Sequence, residues 1–205
     1  MMVFALVLLA QKESLERLAA WQTYQERLTK AYTIEARWVQ LGAFKDSQAR
    51  KSFVLLYRKP DSISLEEAGV SRVVWNGKSG IQLDLRAKTW QALKEKPKFE
   101  SALMLGFPFL GPRTEELGGT GKQITEGDWT YISLVNQLHI DAGYITDLAF
   151  SRKSGLLATV RVDYHGMWSW QGDIQVRIKS MAFGGMLKSS DFSIEPPKGF
   201  TPYKM

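Results

Sequence analysis

The chain is predicted to be a mainly β protein of the α+β kind, built on one large, strongly curved antiparallel sheet in a single domain. Three observations predict this. Apolar and polar residues alternate with period two over most of the sequence after residue 33. Tight-turn residues interrupt that alternation at three places, and helical spacing occurs only near the N-terminus and in one short central segment. About ten or eleven strands joined by short turns form an antiparallel sheet with one apolar face. The 205 residues, 44% hydrophobic and 23% charged, suffice for one ordinary core.

Taken in order, residues 1–10, MMVFALVLLA, read as a signal-like apolar segment, too short to span a bilayer and of the length of a signal-peptide core, the alternative being a buried N-terminal segment. Residues 11–205 form the domain. Ser14 is the expected N-cap of a helix whose apolar stripe is Leu15, Leu18, Trp21, Tyr24, Leu28 and Ala31, three or four apart. Ile34, Ala36 and Trp38 then alternate with polar residues, followed by Phe53, Leu55 and Tyr57, and by Ile63 and Leu65. VVWNGKSGIQLDL is a hairpin, since Asn76 and Gly77 suit the positive φ of a tight turn. QITEGDWTYISLV turns at Gly127 and Asp128, and GYITDLAFSRKSGLLATVRVDY turns at Lys153 to Gly155. GDIQVRIKS sets Ile174, Val176 and Ile178 against Asp173, Gln175, Arg177 and Lys179. The closing SDFSIEPPKGF reads as a last strand with Phe192 and Ile194 on one side, stopped by Pro196 and Pro197 because proline removes a ladder donor.

A sheet of this size has to cover its apolar face. The first helix and residues 99–111, interrupted by Gly106 and Pro108, are short for the task, so a hydrophobic cavity or a moving cover is expected. Its expected lining is Trp38, Phe53, Leu55, Tyr57, Ile63, Leu65, Val74, Leu83, Leu148, Phe150, Ile174 and Val176. In the central segment Phe99, Leu103, Phe107 and Leu110, with Met104 beside them, form one helical face that acts as a lid.

Motifs for chemistry are scarce. There is no cysteine, which removes disulfides and thiolate sites. WNGKSG and GGTGKQ each lack the first glycine of a phosphate loop, with Arg72 and Glu116 in its place. The two histidines, His139 and His165, have no carboxylate at ligand spacing, and the adjacent pairs Glu66–Glu67 and Glu115–Glu116 are poor acid/base partners. The expectation is no enzyme, no cofactor and no metal. The net charge of +6 favours anionic partners. Arg86, Lys88, Lys94, Lys96 and Lys98 suggest a cationic rim, but no strand face interleaves basic and aromatic residues as a nucleic-acid binder would. Met181, Phe183, Met186 and Leu187 surround Gly184 and Gly185, a composition suited to an adaptable apolar contact.

The order of these pieces is helix, EARWVQ, YRKPDSI, the NGK hairpin, an apolar insert, paired hairpins and FSIEPPKGF. It resembles the periplasmic outer-membrane lipoprotein carriers of the LolA family and their wider lipoprotein-sorting superfamily, over residues 14–203. The resemblance implies an unclosed half-barrel lidded by helices, and an extracytoplasmic carrier that shuttles the acyl chains of lipoproteins or lipids between membranes. Its implied partners are an inner-membrane donor and an outer-membrane acceptor, with peripheral membrane contact, no nucleic acid and a monomeric state. The alternative is a lipid-binding sensor of the same fold acting on a membrane partner. Where the family has an Arg-Pro pair followed by an aromatic, this sequence has Lys59, Pro60 and Ile63. The resemblance makes Lys59 the lid anchor, with the charge kept and the planar fork of donors lost.

Overall fold

Each period-two segment from Thr33 to Phe183 forms a strand, and the turn residues lie where the chain reverses. The computed structural model describes residues 13–14, 17–43, 46–96, 120–139, 142–166 and 174–203. Among them are one α-helix, α1 (Ala19–Lys30), and one sheet of thirteen strands. In chain order the strands are β1 (Glu13–Ser14), β2 (Thr33–Ala43), β3 (Asp46–Arg58), β4 (Ser62–Glu67), β5 (Ser71–Asn76), β6 (Gly80–Asp84) and β7 (Thr89–Leu93). They continue with β8 (Thr120–Glu126), β9 (Trp129–His139), β10 (Ala142–Ser151), β11 (Leu157–Gly166), β12 (Ile174–Phe183) and β13 (Thr201–Pro202). Eleven of these have five residues or more, in line with the expected number.

The sheet is two antiparallel meanders, β2 to β7 and β8 to β12, joined where β12 pairs with β2. β1 borders β8 at one end and β13 borders β7 at the other, so the sheet is unclosed. Turn chemistry fixes the register. At the β5–β6 hairpin Gly77 takes a φ of 98°, and the Asn76 side-chain oxygen accepts the N–H groups of Lys78 and Ser79 at 3.0 Å each.

The helix starts later than expected. Ser14 is not its cap, because its backbone pairs with Thr120 in the β1–β8 ladder. α1 begins at Ala19, and the Ala20 N–H is accepted by the Gln123 side-chain oxygen of β8 at 3.0 Å, which satisfies one of the orphan donors of the first turn. Trp21, Tyr24 and Leu28 are all buried, as the stripe requires. Among the described residues no helix is long and apolar enough to cross a membrane.

Two apolar clusters lie on opposite faces of the sheet. The larger gathers α1 with residues of β2, β3, β4 and β9 to β12. The smaller consists of Val74, Ile81, Leu83 and Phe192, with Leu56, Trp90, Leu187, Ile194 and Phe200 packed around it. Phe192 and Ile194 therefore do not form a last strand. Ser189–Phe192 is a 3-10 turn, and the segment crosses the outer face as a strap. Arg58 lies 4.7 Å over the Phe192 ring, and Arg72 donates to the Asp191 carbonyl at 2.9 Å and to Ser64 Oγ at 3.1 Å. Strap packing outweighs alternation here, since two aromatic or branched side chains gain more by burial than by lining an edge strand. Pro196 and Pro197 precede the true edge, where β13 runs parallel to β7.

Candidate functional site

The face that carries α1 continues from β9 to β7, because side chains alternate along the strands between their bulges, such as the one between Ile178 and Ser180. Ile132, Leu134, Leu148, Phe150, Val160 and Val176 are at most 2% exposed beneath or beside the helix. Tyr24 of α1 meets Phe150 edge-on with ring centroids 5.7 Å apart, and its hydroxyl lies 3.9 Å from the Met181 sulfur. Arg27 of α1 donates to the Ser154 carbonyl in the β10–β11 turn. These contacts hold the helix over the β8–β12 half.

The other half of the same face lies over β3 to β7, where strand register defines three rows. One is Tyr57, Ile63, Trp75, Gly80 and Leu93, the next is Leu55, Leu65, Val73, Gln82 and Gln91, and the third is Phe53, Glu67, Ser71, Asp84 and Thr89. Phe53, Tyr57, Leu65 and Val73 are only partly buried and pack against the edge of the main core. Phe53 stacks on buried Trp38, centroids 5.3 Å apart and planes 16° from parallel, which links the two halves.

Ten of the twelve residues expected to line a cavity share this face: Trp38, Phe53, Leu55, Tyr57, Ile63, Leu65, Leu148, Phe150, Ile174 and Val176. Val74 and Leu83 do not. They point to the opposite face and pack with Phe192, so the single lining set has to be corrected. In the run Val73, Val74, Trp75 every residue is apolar, and alternation cannot tell which ones face the helix. Val73 and Trp75 are the members that reasoning missed.

Phe99, Leu103, Met104, Phe107 and Leu110, expected to form the lid, lie outside the described residues, as do Lys98 and residues 1–10. Lys59 donates its ammonium to a backbone carbonyl, that of Thr29 in the last turn of α1. A cation there satisfies an orphan carbonyl and complements the helix dipole. The Lys59 N–H also donates to the Tyr32 carbonyl at 2.9 Å. The four described basic residues of the expected rim straddle β7 rather than clustering, with Arg86 and Lys88 before it and Lys94 and Lys96 after it. Lys96 pairs with Asp61. Close by, the Tyr57 hydroxyl donates to the Pro60 carbonyl at 3.2 Å, and burial, then the Asp61 charge, raises its pKa against a smaller opposing effect of Lys96. Met181 and Phe183 pack on the main core, Leu187 on the outer-face cluster, and Met186 is 99% exposed.

No protein-family model matches the chain, and no curated protein matches it. Among solved structures it is similar to a LolA superfamily protein from Nitrosomonas europaea, with a TM-score of 0.37 and 9% identity over 84% of this chain and 96% of that one.

Proposed function

We propose that the protein is an extracytoplasmic carrier that holds the acyl chains of lipids or lipoproteins against the β3–β5 part of its helix-bearing face and passes them between membranes. One observation carries the reading: an apolar face sealed by α1 over one half continues into a half where the apolar side chains of Phe53, Tyr57, Leu65 and Val73 stay partly buried. Burying one long acyl chain at about 0.8 kcal/mol per methylene stabilises a complex by on the order of 10 kcal/mol. An inner-membrane donor and an outer-membrane acceptor are the partners such a carrier needs, and peripheral membrane contact follows from exchanging cargo with either.

The reading is tested with an environment-sensitive apolar dye. It is expected to bind saturably, to be displaced by palmitate, and to lose at least tenfold in affinity in Leu65→Lys, which puts a charge in the middle of the half-covered stretch. Dye binding that never saturates, or that Leu65→Lys leaves unchanged, contradicts it.

A further inference from the structure

The edge of the sheet at β6, β7 and β13 carries a groove that the acyl reading does not use. Gln82, Asp84, Thr89, Trp90, Gln91 and Tyr203 line it, around a volume of about 320 Å³. Strand register sets five of the six on one face. Gln82 pairs with Gln91 and Asp84 with Thr89, and Thr89 pairs in turn with Thr201 of β13. Two residues beyond Thr201, alternation returns Tyr203 to the face of Thr89 and Gln91. The Thr201 N–H donates to the Lys88 carbonyl at 3.0 Å and the Tyr203 N–H to the Trp90 carbonyl at 2.7 Å. Backbone bonds thus hold the tyrosine at the groove while the residue stays 61% exposed.

The polar groups of the groove are oriented by contacts that leave part of each one open. Gln91 Nε2 donates to Gln82 Oε1 at 3.0 Å, which aligns both amides and leaves, among the described residues, Gln82 Nε2 as a donor and Gln91 Oε1 as an acceptor. Asp84 Oδ1 accepts the N–H groups of Arg86 and Ala87 at 2.9 and 2.8 Å, which fixes the carboxylate and leaves Oδ2 to accept. Among the described residues no lysine or arginine lines the groove, so an anionic ligand would meet Asp84 and no cation. Trp90 packs its side chain on the outer-face cluster, which leaves Tyr203 as the aromatic ring of the site. A pyranose matches this set. Its hydroxyls both donate and accept around the rim, and its C–H groups make one face apolar enough to lie on an aromatic ring.

We infer that this groove binds a neutral saccharide, with one sugar ring on Tyr203 and its hydroxyls on Gln82 Nε2, Gln91 Oε1 and Asp84 Oδ2. The site is separate from the acyl-binding stretch over β3 to β5 and stands without the carrier reading. The sugar is a free glycan or the headgroup of an acylated amphiphile, since the row that holds Gln82 and Gln91 also holds Leu55, Leu65 and Val73.

The test records nitrogen-15 spectra of the full chain titrated with the methyl glycosides of glucose, galactose and N-acetylglucosamine, and with sorbitol, which has the hydroxyls of a sugar and no ring. At least one glycoside is expected to bind saturably in the millimolar range and to move the side-chain amide signals that vanish in Gln82→Ala and Gln91→Ala, while sorbitol leaves them in place. Tyr203→Ala is expected to weaken that binding at least fivefold. Tyr32→Ala, which removes an equally exposed tyrosine outside the groove, is expected to leave it unchanged. The octyl glycoside of the sugar that binds, used below its micelle concentration, then assigns the source. Binding at least tenfold tighter than the methyl glycoside, and reduced to the methyl level by palmitate, marks the headgroup of an amphiphile; equal binding marks a free glycan, and the site holds in both cases. No saturable shift with any glycoside, the same shifts with sorbitol, or an affinity that Tyr203→Ala leaves unchanged overturns the inference, whatever the dye assay of the acyl stretch shows. The contrast between glycoside and sorbitol needs no variant.

Discussion

The two halves of the helix-bearing face are made alike and finished differently. Over β8 to β12, the strand alternation meets a helix whose Trp21, Tyr24 and Leu28 fill the space above it, and exposures fall to near zero at Ile132, Leu134 and Val160. Over β3 to β5, the same alternation supplies Phe53, Tyr57, Leu65 and Val73, and they remain partly buried. The outer face of β4 to β6 behaves like the first case, since the strap seals it with Phe192 at 3% exposure. Alternation makes a face apolar, and a separate covering element decides whether that face becomes core or stays available to a ligand.

The comparison predicts a graded response to truncation, measured by urea unfolding. Trp21→Ala removes the largest side chain of the sealed half and is expected to cost about 3–5 kcal/mol. Phe192→Ala, which also strips Arg58 of its ring partner, is expected to cost about 3 kcal/mol through the outer-face cluster and to leave acyl binding unchanged. Phe53→Ala is expected to cost only about 1–2 kcal/mol, as a partly buried ring that leaves less of a cavity, while weakening acyl binding several-fold. If Phe53→Ala costs as much as Trp21→Ala, the two halves are equally core and the distinction fails.

Smaller effects sharpen the contrast at the helix itself. Lys59→Leu removes the cation from the α1 C-terminus and is expected to cost under about 1 kcal/mol, with faster amide exchange confined to the last turn of the helix. Tyr24→Phe should be nearly silent at pH 7, because among the described residues the hydroxyl meets a thioether alone. Burial raises the Tyr24 pKa well above 10.0, so the folded state resists its ionisation. The stability this group protects is present below the unfolded pKa and is lost as pH rises past about 10. Tyr24→Phe is therefore expected to flatten the alkaline fall in stability, as measured by thermal melts between pH 9 and 11.

Much of the sheet was legible in the sequence because period two and the turn residues at Asn76–Gly77, Gly127 and Gly155 are local signals. What was not legible depended on distant partners. Ser14 has the chemistry of a helix cap, but β8 recruits its backbone. Phe192 and Ile194 alternate like a strand, but the cluster of Val74, Ile81 and Leu83 draws them across the outer face. Alternation also placed Val74 and Leu83 on strands correctly without saying which face was theirs, and three consecutive apolar residues hid Val73 and Trp75. Lys59 donates to the Thr29 carbonyl at the end of the helix, and the central segment 99–111, the lid it was expected to anchor, lies outside the described residues.

The central claim is that the partly buried stretch of the helix-bearing face is where an acyl chain lies, and photo-crosslinking with a diazirine-bearing palmitate tests it most directly. Peptides from the labelled full chain, identified by mass spectrometry, are predicted to carry the adduct on β3 to β5, at or beside Phe53, Tyr57, Leu65 and Val73, and to lose it when unlabelled palmitate competes. Labelling concentrated on β9 and β10 beneath α1, or on the strap at Phe192, or indifferent to competitor, would contradict the account.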